Sequence, residues 1–382
     1  MLLFTIMGYV DSMGGKLNKP SSNRKRKASA SRPLLTDVAK AAGVSIATAS
    51  RALSGADGVS DQQRERIRTI ADELHYEHDP IGRSLRSGKT HLIGVWVESI
   101  RNNSSARLVT ALTDMLHKHG YDILVTEYSD DPAEDASRIR SLARRRPDYM
   151  VVLHPTRPDA FRGLVERGID VVMISGGAPA DWNGPLVRVD SAHSRQELAA
   201  HLVELGHRKV MVLQPPRRIG RPGLNVLKRV VERAKLPLDV SITPFSADDG
   251  GSGLSTAGIV ELIRAEDGPT FLHVNEAQAP ALLKGLAGAG LRIPRDVSVM
   301  STGAPSWAEV ATPPLSVTDV DYYLCGVRAA EVILELSRGE QPKRRTVRGT
   351  YIRRESVGPS PRAEAARAAA ASASKPRSVR SR

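Results

Sequence analysis

Hydrophobic positions divide the chain into two regions with different periodicity. Between residues 34 and 78, apolar residues recur at helical spacings, and Ile67, Ile70 and Leu74 belong to one helical stripe. From residue 92 onward, short continuous apolar runs alternate with helical stretches. The first pattern predicts a small all-α domain, and the second predicts an α/β domain built on parallel sheets.

Three short helices are predicted in the first region. Thr36, Ser45 and Ser60 are predicted to be their N-caps, because a hydroxyl there can accept a free backbone N–H group. Gly43 is predicted to end the first helix, since glycine tolerates the positive φ of a tight turn. The second helix then presents short side chains outward, which allows it to enter a DNA major groove. Its outward-facing residues are Ile46, Ala47, Thr48, Ser50 and Arg51.

The second region predicts two series of alternating strands and helices. Apolar runs of the first series begin at residues 92, 122, 149, 171 and 186, and those of the second at 209, 241, 270 and 298. Helices are predicted over 106–119, 194–205, 224–234, 254–264 and 277–290. This pattern predicts two parallel-sheet lobes. Ligands of such open sheets bind beyond the carboxyl ends of the strands, here in the crevice between the lobes.

Several segments resemble the lac repressor family of bacterial transcriptional regulators. They are LTDVAKAAGVSIATASRAL at 35–53, GRSLRSGKTHLIGV at 82–95, VELGHRKV at 203–210, GLRIPRDVSVM at 290–300 and PPLSVTDVDY at 313–322. The resemblance covers roughly residues 34–355. It implies an all-α helix-turn-helix headpiece, a hinge helix and a two-lobed periplasmic-binding-protein-like domain with parallel sheets. It also implies a repressor, and not an enzyme, that binds a near-palindromic operator as a homodimer.

The resemblance assigns DNA contacts to the second helix and to the hinge. Residues that would face base edges are Ile46, Ala47 and Arg51, and those that would hold phosphates are Thr48 and Ser50. Leu85 in the hinge would enter the minor groove, where an apolar wedge can part a base step for a few kcal/mol. The predicted DNA-binding set also includes Thr36, Ser45, Arg83 and Arg86.

The predicted effector pocket departs from the family pattern. After the first strand, where the family has an aromatic residue for stacking, the chain reads Asn102-Asn103-Ser104-Ser105. Gly303 lies in the segment where the family has an aspartate that binds sugar hydroxyls. Since only 4% of residues are aromatic, we expect a pocket without stacking walls. The residues expected to bind the effector are Asn102, Ser104, Ser105, Asp190, Arg218, Arg221, Asn275 and Gly303.

Two interpretations of this pocket remain open. It binds a small-molecule effector other than a hexose, such as a sugar acid or phosphorylated metabolite held by arginines and serines, or it has lost its ligand. No cofactor is expected, and no metal, because His154, His193 and His207 are scattered along the chain. The glycines at 250, 251 and 253 match neither a dinucleotide fingerprint nor a P-loop.

The basic charge of the chain is concentrated at its ends. The formal net charge is +13, of which residues 1–33 contribute +6 and residues 362–382 contribute +5, while residues 34–92 are neutral. Residues 1–33 and 356–382 are therefore predicted to be a disordered basic arm and tail that attract phosphates. These ends leave open a further hypothesis, an architectural DNA-binding protein with little sequence preference.

The remaining composition narrows the setting in which the protein acts. The single cysteine, Cys325, excludes an internal disulfide, and no apolar run reaches the roughly 18 residues of a membrane span. We therefore expect a cytoplasmic, nucleoid-associated protein without a membrane partner. Between the arm and the tail, the predicted domains are a headpiece over 34–78, a hinge helix and linker over 79–91, and a two-lobed effector-binding and dimerisation domain over 92–355.

Overall fold

The computed structural model describes residues 33–54, 56–76, 88–129, 131–155, 157–176, 182–216, 226–246 and 253–365. The chain divides into two compact units, residues 1–83 and residues 84–382. Most of the predicted arm, the predicted hinge helix and residues 366–382 of the predicted tail lie outside the described residues. The same holds for five predicted site residues, which are Arg83, Leu85, Arg86, Arg218 and Arg221.

The first unit contains the three predicted helices. They are α1 (Leu35–Ala42), α2 (Ile46–Ser54) and α3 (Asp61–Glu73). Their shared core is built mainly from small side chains, which let short helices approach closely. Its fully buried members are Val38, Ala39, Ala42, Ala49, Ala52, Ile67 and Ala71.

Two of the three predicted N-caps are confirmed. Ser45 Oγ accepts the N–H of Thr48 at 3.0 Å, and Ser60 Oγ accepts the N–H of Gln63 at 3.4 Å. The prediction that Thr36 is an N-cap is wrong, because α1 begins one residue earlier, at Leu35. The carboxylate of Asp37 accepts the N–H of Leu34 at 2.8 Å and so satisfies the start of the helix without a hydroxyl cap. Gly43 ends α1 with a φ of +63°, as predicted.

The second unit is built on one mixed sheet. Its strands are β1 (Leu92–Val97), β2 (Asp122–Glu127), β3 (Tyr149–Leu153), β4 (Asp170–Ser175), β5 (Leu186–Asp190), β6 (Lys209–Gln214), β7 (Asp239–Pro244), β8 (Phe271–Asn275), β9 (Ser298–Thr302), β10 (Ser316–Val320) and β11 (Arg345–Ile352). The first nine correspond to the predicted apolar runs, whereas β10 and β11 were not predicted. Within the described residues the strand order is β2-β1-β3-β4-β5-β11-β10-β9-β8-β6-β7.

Helices alternate with these strands along the chain. They are α4 (Asn103–Leu116), α5 (Pro132–Arg144), α6 (Arg162–Val165), α7 (Ala192–Glu204), α8 (Val226–Ala234), α9 (Thr256–Arg264), α10 (Ala279–Gly288), α11 (Trp307–Val310) and α12 (Tyr322–Ser337). Short 3₁₀ turns cover His117–His119 and Pro158–Phe161. The predicted two-lobed α/β architecture is confirmed.

The strand β11 joins the two lobes. Its residues Arg345 to Arg348 pair with β5 in parallel, and Gly349 to Ile352 pair with β10 in the antiparallel sense. The first lobe therefore contains β1 to β5 and the second β6 to β10. All other strand pairs within the lobes are parallel among the described residues.

Both faces of each half-sheet are covered. In β1, Ile93 and Val95 belong to an apolar cluster that includes α4 and α12, while Trp96 belongs to a separate cluster with α5. Successive side chains of a strand point to opposite faces, so the two clusters lie on opposite sides of the sheet. The second lobe likewise has two clusters, one with α7 and α8 and one with α9 and α10. This double burial explains why the strands are continuous apolar runs.

The second unit extends beyond its predicted end at residue 355. Ser356, Val357 and Ser360 are buried, and Ser356 Oγ donates to the carbonyl of Val299 at 2.6 Å and accepts the N–H of Ser316 at 2.8 Å. The prediction of a disordered tail is therefore wrong for its first residues, because the Ser356 hydroxyl and the Ser360 N–H complete hydrogen bonds of the second lobe. Among the described helices, none is long and apolar enough to cross a membrane.

Replacing Ser356 with alanine is expected to lower the free energy of unfolding by about 1–3 kcal/mol, because it leaves a buried N–H and a buried carbonyl without their partner. Urea unfolding followed by circular dichroism measures this loss. Ser306→Ala, at an exposed serine, is the matched control. An unchanged midpoint for Ser356→Ala would show that these bonds do not hold the tail to the lobe.

Candidate functional site

The first unit presents one face of α2 to solvent. Ile46 is 51% exposed, Ala47 and Arg51 are exposed, and Thr48 and Ser50 are partly exposed. The opposite face carries Ala49 and Ala52, which are fully buried. An exposed apolar side chain followed by a small one and then a cation is a surface suited to contact with base edges. Thr36, although not a cap, is also exposed.

Arg64 on α3 fixes the end of α2. Its guanidinium donates to the carbonyls of Arg51, Ala52, Ala56 and Val59 at 2.9 to 3.5 Å. The carbonyls at a helix end lack partners within the helix, and a cation there also complements the helix dipole. No motif of the sequence pointed to this residue. Its role is to hold the exposed face of α2 in place.

The second unit contains a cavity of about 800 Å³ between its two lobes. Residues that line it directly follow or end β1, β2, β3, β6, β7, β8 and β9, so it lies where parallel strands present their carboxyl ends. Its position agrees with the crevice expected from the sequence.

Five predicted effector residues line this cavity, namely Asn102, Ser104, Ser105, Asn275 and Gly303. Asp190 does not line it, so this prediction is wrong. The carboxylate of Asp190 instead accepts the N–H of Ala192 at 3.1 Å, in the turn that leads into α7.

The polar groups of these residues differ in whether they already have hydrogen-bond partners among the described residues. The Asn275 amide is used locally, since its Oδ1 accepts the N–H of Gln278 and its Nδ2 donates to Gln278 Oε1. Ser105 is 1% exposed, and its Oγ has no hydrogen-bond partner among the described residues. Ser105 is therefore a buried hydroxyl whose hydrogen-bonding capacity is unused, whereas the Asn275 side chain is mainly structural.

Aromatic side chains line the cavity, contrary to expectation. Tyr128, Phe245 and Tyr322 are part of its wall. The low aromatic content did not exclude a wall of this kind, because few aromatic residues suffice when they lie at strand ends. A ligand with an apolar face can therefore pack here.

The three histidines singled out from the sequence have separate surroundings. His154 lines the cavity, its Nε2 lies 2.9 Å from the hydroxyl of Tyr322, and burial lowers its pKa to about 4. His207 is buried between Thr270 and the carbonyl of Gly358, and His193 is exposed beside Glu197. The described residues contain no group of three or more potential metal ligands. His154 was not predicted to line the crevice.

The carboxylate of Glu276 bridges the crevice. It comes from the second lobe and lies near the backbone N–H groups of Ser104 and Asn103 at the start of α4, in the first lobe, while its Oε2 has no hydrogen-bond partner among the described residues. Gly303 makes room for it, since a Cβ at that position would lie 2.3 Å from Glu276 Oε2. Burial raises the pKa of Glu276 above its ordinary value of 4.5, and the two N–H groups oppose that shift. An acid of the protein thus already lies beside the free N–H groups at the start of α4.

A second bridge uses Arg107 on α4. Its guanidinium pairs with Asp319 at 3.4 Å and with Asp321 at 2.8 Å. Burial raises the pKa of Asp319, and Arg107 opposes the shift. The Asn103 amide also donates to the carbonyl of Ala304 at 3.5 Å. Charged and polar contacts therefore hold the lobes together at the mouth of the crevice, an arrangement suited to a binding pocket that opens and closes.

Three family models match successive parts of the chain. Residues 34–79 match the model described as bacterial regulatory proteins, lacI family. Residues 90–220 match periplasmic binding proteins and sugar binding domain of the LacI family, and residues 199–357 match a periplasmic binding protein-like domain.

Individual proteins are similar over most of the chain. Catabolite control protein A of Staphylococcus epidermidis is 24% identical over 307 residues, which cover 80% of this chain and 92% of that protein. The HTH-type transcriptional repressor PurR of Vibrio atlanticus is 25% identical over 321 residues, covering 81% and 94%. The crystal structure of the lac repressor dimer bound to operator and the anti-inducer ONPF has a TM-score of 0.72 at 21% identity. It covers 85% of this chain and 99% of that one.

Replacing Glu276 with glutamine is expected to change the pH dependence of stability. Because the folded state raises the pKa of Glu276, ionising this group lowers the stability of the wild type as the pH rises from about 4.5 through the raised value. The glutamine variant lacks this term. Its free energy of unfolding, relative to that of the wild type, should therefore be larger at neutral pH than at pH 4.5, which means that the variant gains relative stability as the pH rises.

Urea unfolding at several pH values measures the difference. Glu261→Gln, at an exposed glutamate of α9, is the matched control and should show a flat difference. A flat difference for Glu276→Gln would contradict the buried position of its carboxylate.

Proposed function

The chain belongs to the lacI family of bacterial regulatory proteins, and we propose that it is a repressor that binds a near-palindromic operator as a homodimer. It is a DNA-binding transcriptional regulator and not an enzyme, as its relatives are. We assign residues 34–78 to operator binding, residues 79–91 to the hinge, and the domain from residue 92 to the effector. Such a regulator would act on the nucleoid, in the cytoplasm.

The observation that carries this proposal is the exposed face of α2. Ile46 and Ala47 can contact thymine methyl groups, and Arg51 can donate two hydrogen bonds to guanine. Ser45 caps the helix, and its hydroxyl lies 2.8 Å from that of Thr48. We assign Thr48 and Ser50, at the edges of this face, to phosphate contacts.

The dimer follows from the geometry of recognition. One headpiece covers one half-site, and a two-fold symmetric dimer matches an inverted repeat. The similarity of this chain to the lac repressor dimer bound to operator supports this assembly. The predicted arm would add phosphate contacts that depend on salt and not on sequence.

We propose that the crevice binds a small-molecule effector, and that this effector is a sugar acid or a phosphorylated metabolite. A cavity of about 800 Å³ has the size of a small-molecule site, which ranges from about 300 to 1,000 Å³. Tyr128 and Tyr322 offer aromatic walls, while Ser105 has a hydroxyl without a partner among the described residues. These features favour a ligand-binding crevice over a regulator that has lost its effector.

Fluorescence anisotropy with the upstream DNA of the gene and with random DNA, at several salt concentrations, tests the proposal. A preference of at least about a thousandfold for one inverted repeat is expected. Equal affinity for both DNAs, lost together as salt rises, would contradict it and favour an architectural DNA-binding protein.

Replacing Arg51 with alanine is expected to reduce discrimination between the operator and random DNA by about 1–3 kcal/mol, because a base contact is lost. The ratio of the two dissociation constants measures this effect. Arg68→Ala, at a cation of α3 whose side chain is 50% exposed, is the control and should leave the ratio unchanged. An unchanged ratio for Arg51→Ala would exclude a base contact.

Replacing Leu85 with alanine is expected to weaken operator binding while the dimer persists, because the minor-groove wedge is lost. Anisotropy measures the affinity, and sedimentation equilibrium measures the oligomeric state. Loss of the dimer, or full operator affinity without this side chain, would contradict the assigned role.

A further inference from the structure

Arg195 is a cation without an acidic partner. It lies in the first turn of α7, where its guanidinium donates to the hydroxyl of Thr318 and, at 3.3 Å, to that of Thr302. No carboxylate of the described residues pairs with it. Burial lowers the pKa of Arg195 to about 10, so that it stays charged at neutral pH. A partly buried charge that is met only by neutral hydroxyls is less stable than one that another group neutralises.

A second cavity, of about 140 Å³, adjoins this guanidinium. Arg195, Lys228 and His273 belong to its lining, which contains no aspartate or glutamate among the described residues. The first turn of α8 also contributes to the wall, with Val226 and Leu227. A cavity needs at least about 10–15 Å³ to hold one water molecule, so this cavity has room for a group of several atoms. Its charge is suited to an anion.

His273 provides a further polar group that lacks a partner. It is 5% exposed, and its Nε2 lies 2.6 Å from the hydroxyl of Thr302. Its Nδ1 is buried and has no hydrogen-bond partner in the described part of the chain. A bound anion can accept a hydrogen bond from this nitrogen when Nδ1 carries the proton.

The small cavity adjoins the large crevice. Asn275 and Thr302 belong to the walls of both. The other natural anion site of the crevice, the start of α4, already has the carboxylate of Glu276 beside it. An effector that carries an acidic group would therefore place it beside Arg195, with the rest of the molecule in the crevice.

We propose that the cavity beside Arg195 binds the anionic group of the effector, a carboxylate or a phosphate, with Arg195 and His273 as its ligands. This inference rests on the proposed function in that it identifies the occupant as part of the effector. A guanidinium can donate two parallel hydrogen bonds to either anion. The anion would supply the negative charge that Arg195 lacks.

The test is a titration of the full-length protein with inorganic phosphate and, separately, with acetate, at constant ionic strength set with chloride. Isothermal calorimetry gives affinity, and thermal unfolding gives stability. The wild type is expected to bind at least one of the two anions, and the anion that binds identifies the class of acidic group. Arg195→Met is expected to lower that affinity at least about tenfold, whereas Arg140→Met, at an exposed arginine of α5, should leave it unchanged.

A purely structural role of Arg195 gives a different result. If the arginine serves only to tie Thr302 to Thr318, Arg195→Met will have a lower melting temperature than the wild type in chloride alone, and neither protein will be stabilised by phosphate or acetate. If it is an anion ligand, the variant will be at least as stable as the wild type in chloride, because an unneutralised charge is removed. Phosphate or acetate will then stabilise only the wild type and the Arg140 variant.

Failure of this inference can be distinguished from failure of the proposed function. Operator binding by the same wild-type sample is measured in chloride, without phosphate or acetate. Specific operator binding together with no binding of either anion would overturn the assignment of Arg195 and leave the repressor intact. Binding of an anion that depends on Arg195 would support the site even if no specific operator binding were found.

Discussion

The strand β11 is the constraint on which the effector domain depends. One half of it completes the first lobe beside β5, and the other half completes the second lobe beside β10. Two parallel half-sheets joined in this way present the carboxyl ends of their strands to one crevice. The lobes can change their relative arrangement only by bending at this strand and at the two other places where the chain crosses between them, before α7 and before α12.

Across that crevice, the lobes are held by contacts that a ligand can reinforce or replace. Glu276 reaches the start of α4, and Arg107 pairs with Asp319 and Asp321. Burial opposes the ionised forms of Glu276 and Asp319, so these bridges contribute less than their charges suggest. A crevice held by partly compensated charges is suited to two arrangements of the lobes that differ little in free energy. An effector that binds one arrangement more tightly than the other by only about 1–3 kcal/mol can change operator affinity severalfold. The unpaired charge of Arg195 is a place where such energy can be gained.

The sequence was sufficient to predict those elements whose structure is determined by hydrophobic burial. It was insufficient to predict features that depend on tertiary contacts. Strands β1 to β9 are apolar runs covered by helices on both faces, and their pattern identified them. β11 alternates buried and exposed residues at the junction of the lobes, so it contains no such run. The family resemblance placed Ser105 in the crevice, where it lies. The carboxylate of Asp190, in contrast, accepts a hydrogen bond within a local turn. Nothing in the sequence distinguishes Arg195 from an exposed arginine on a helix, because the absence of a carboxylate partner appears only when β9, β10 and α7 come together.

The dependence of operator affinity on lobe arrangement is tested most directly by fixing that arrangement. Asn103→Cys combined with Ala304→Cys introduces two thiols at residues of opposite lobes that are neighbours across the crevice, since the Asn103 amide donates to the Ala304 carbonyl, and the native Cys325 is buried. The operator dissociation constants of the oxidised and reduced forms of this variant are compared, after mass spectrometry has verified the disulfide. Control of operator binding through the lobe arrangement predicts that they differ by at least about fivefold. Equal constants would contradict it, because the headpieces would then bind DNA without regard to the state of the crevice.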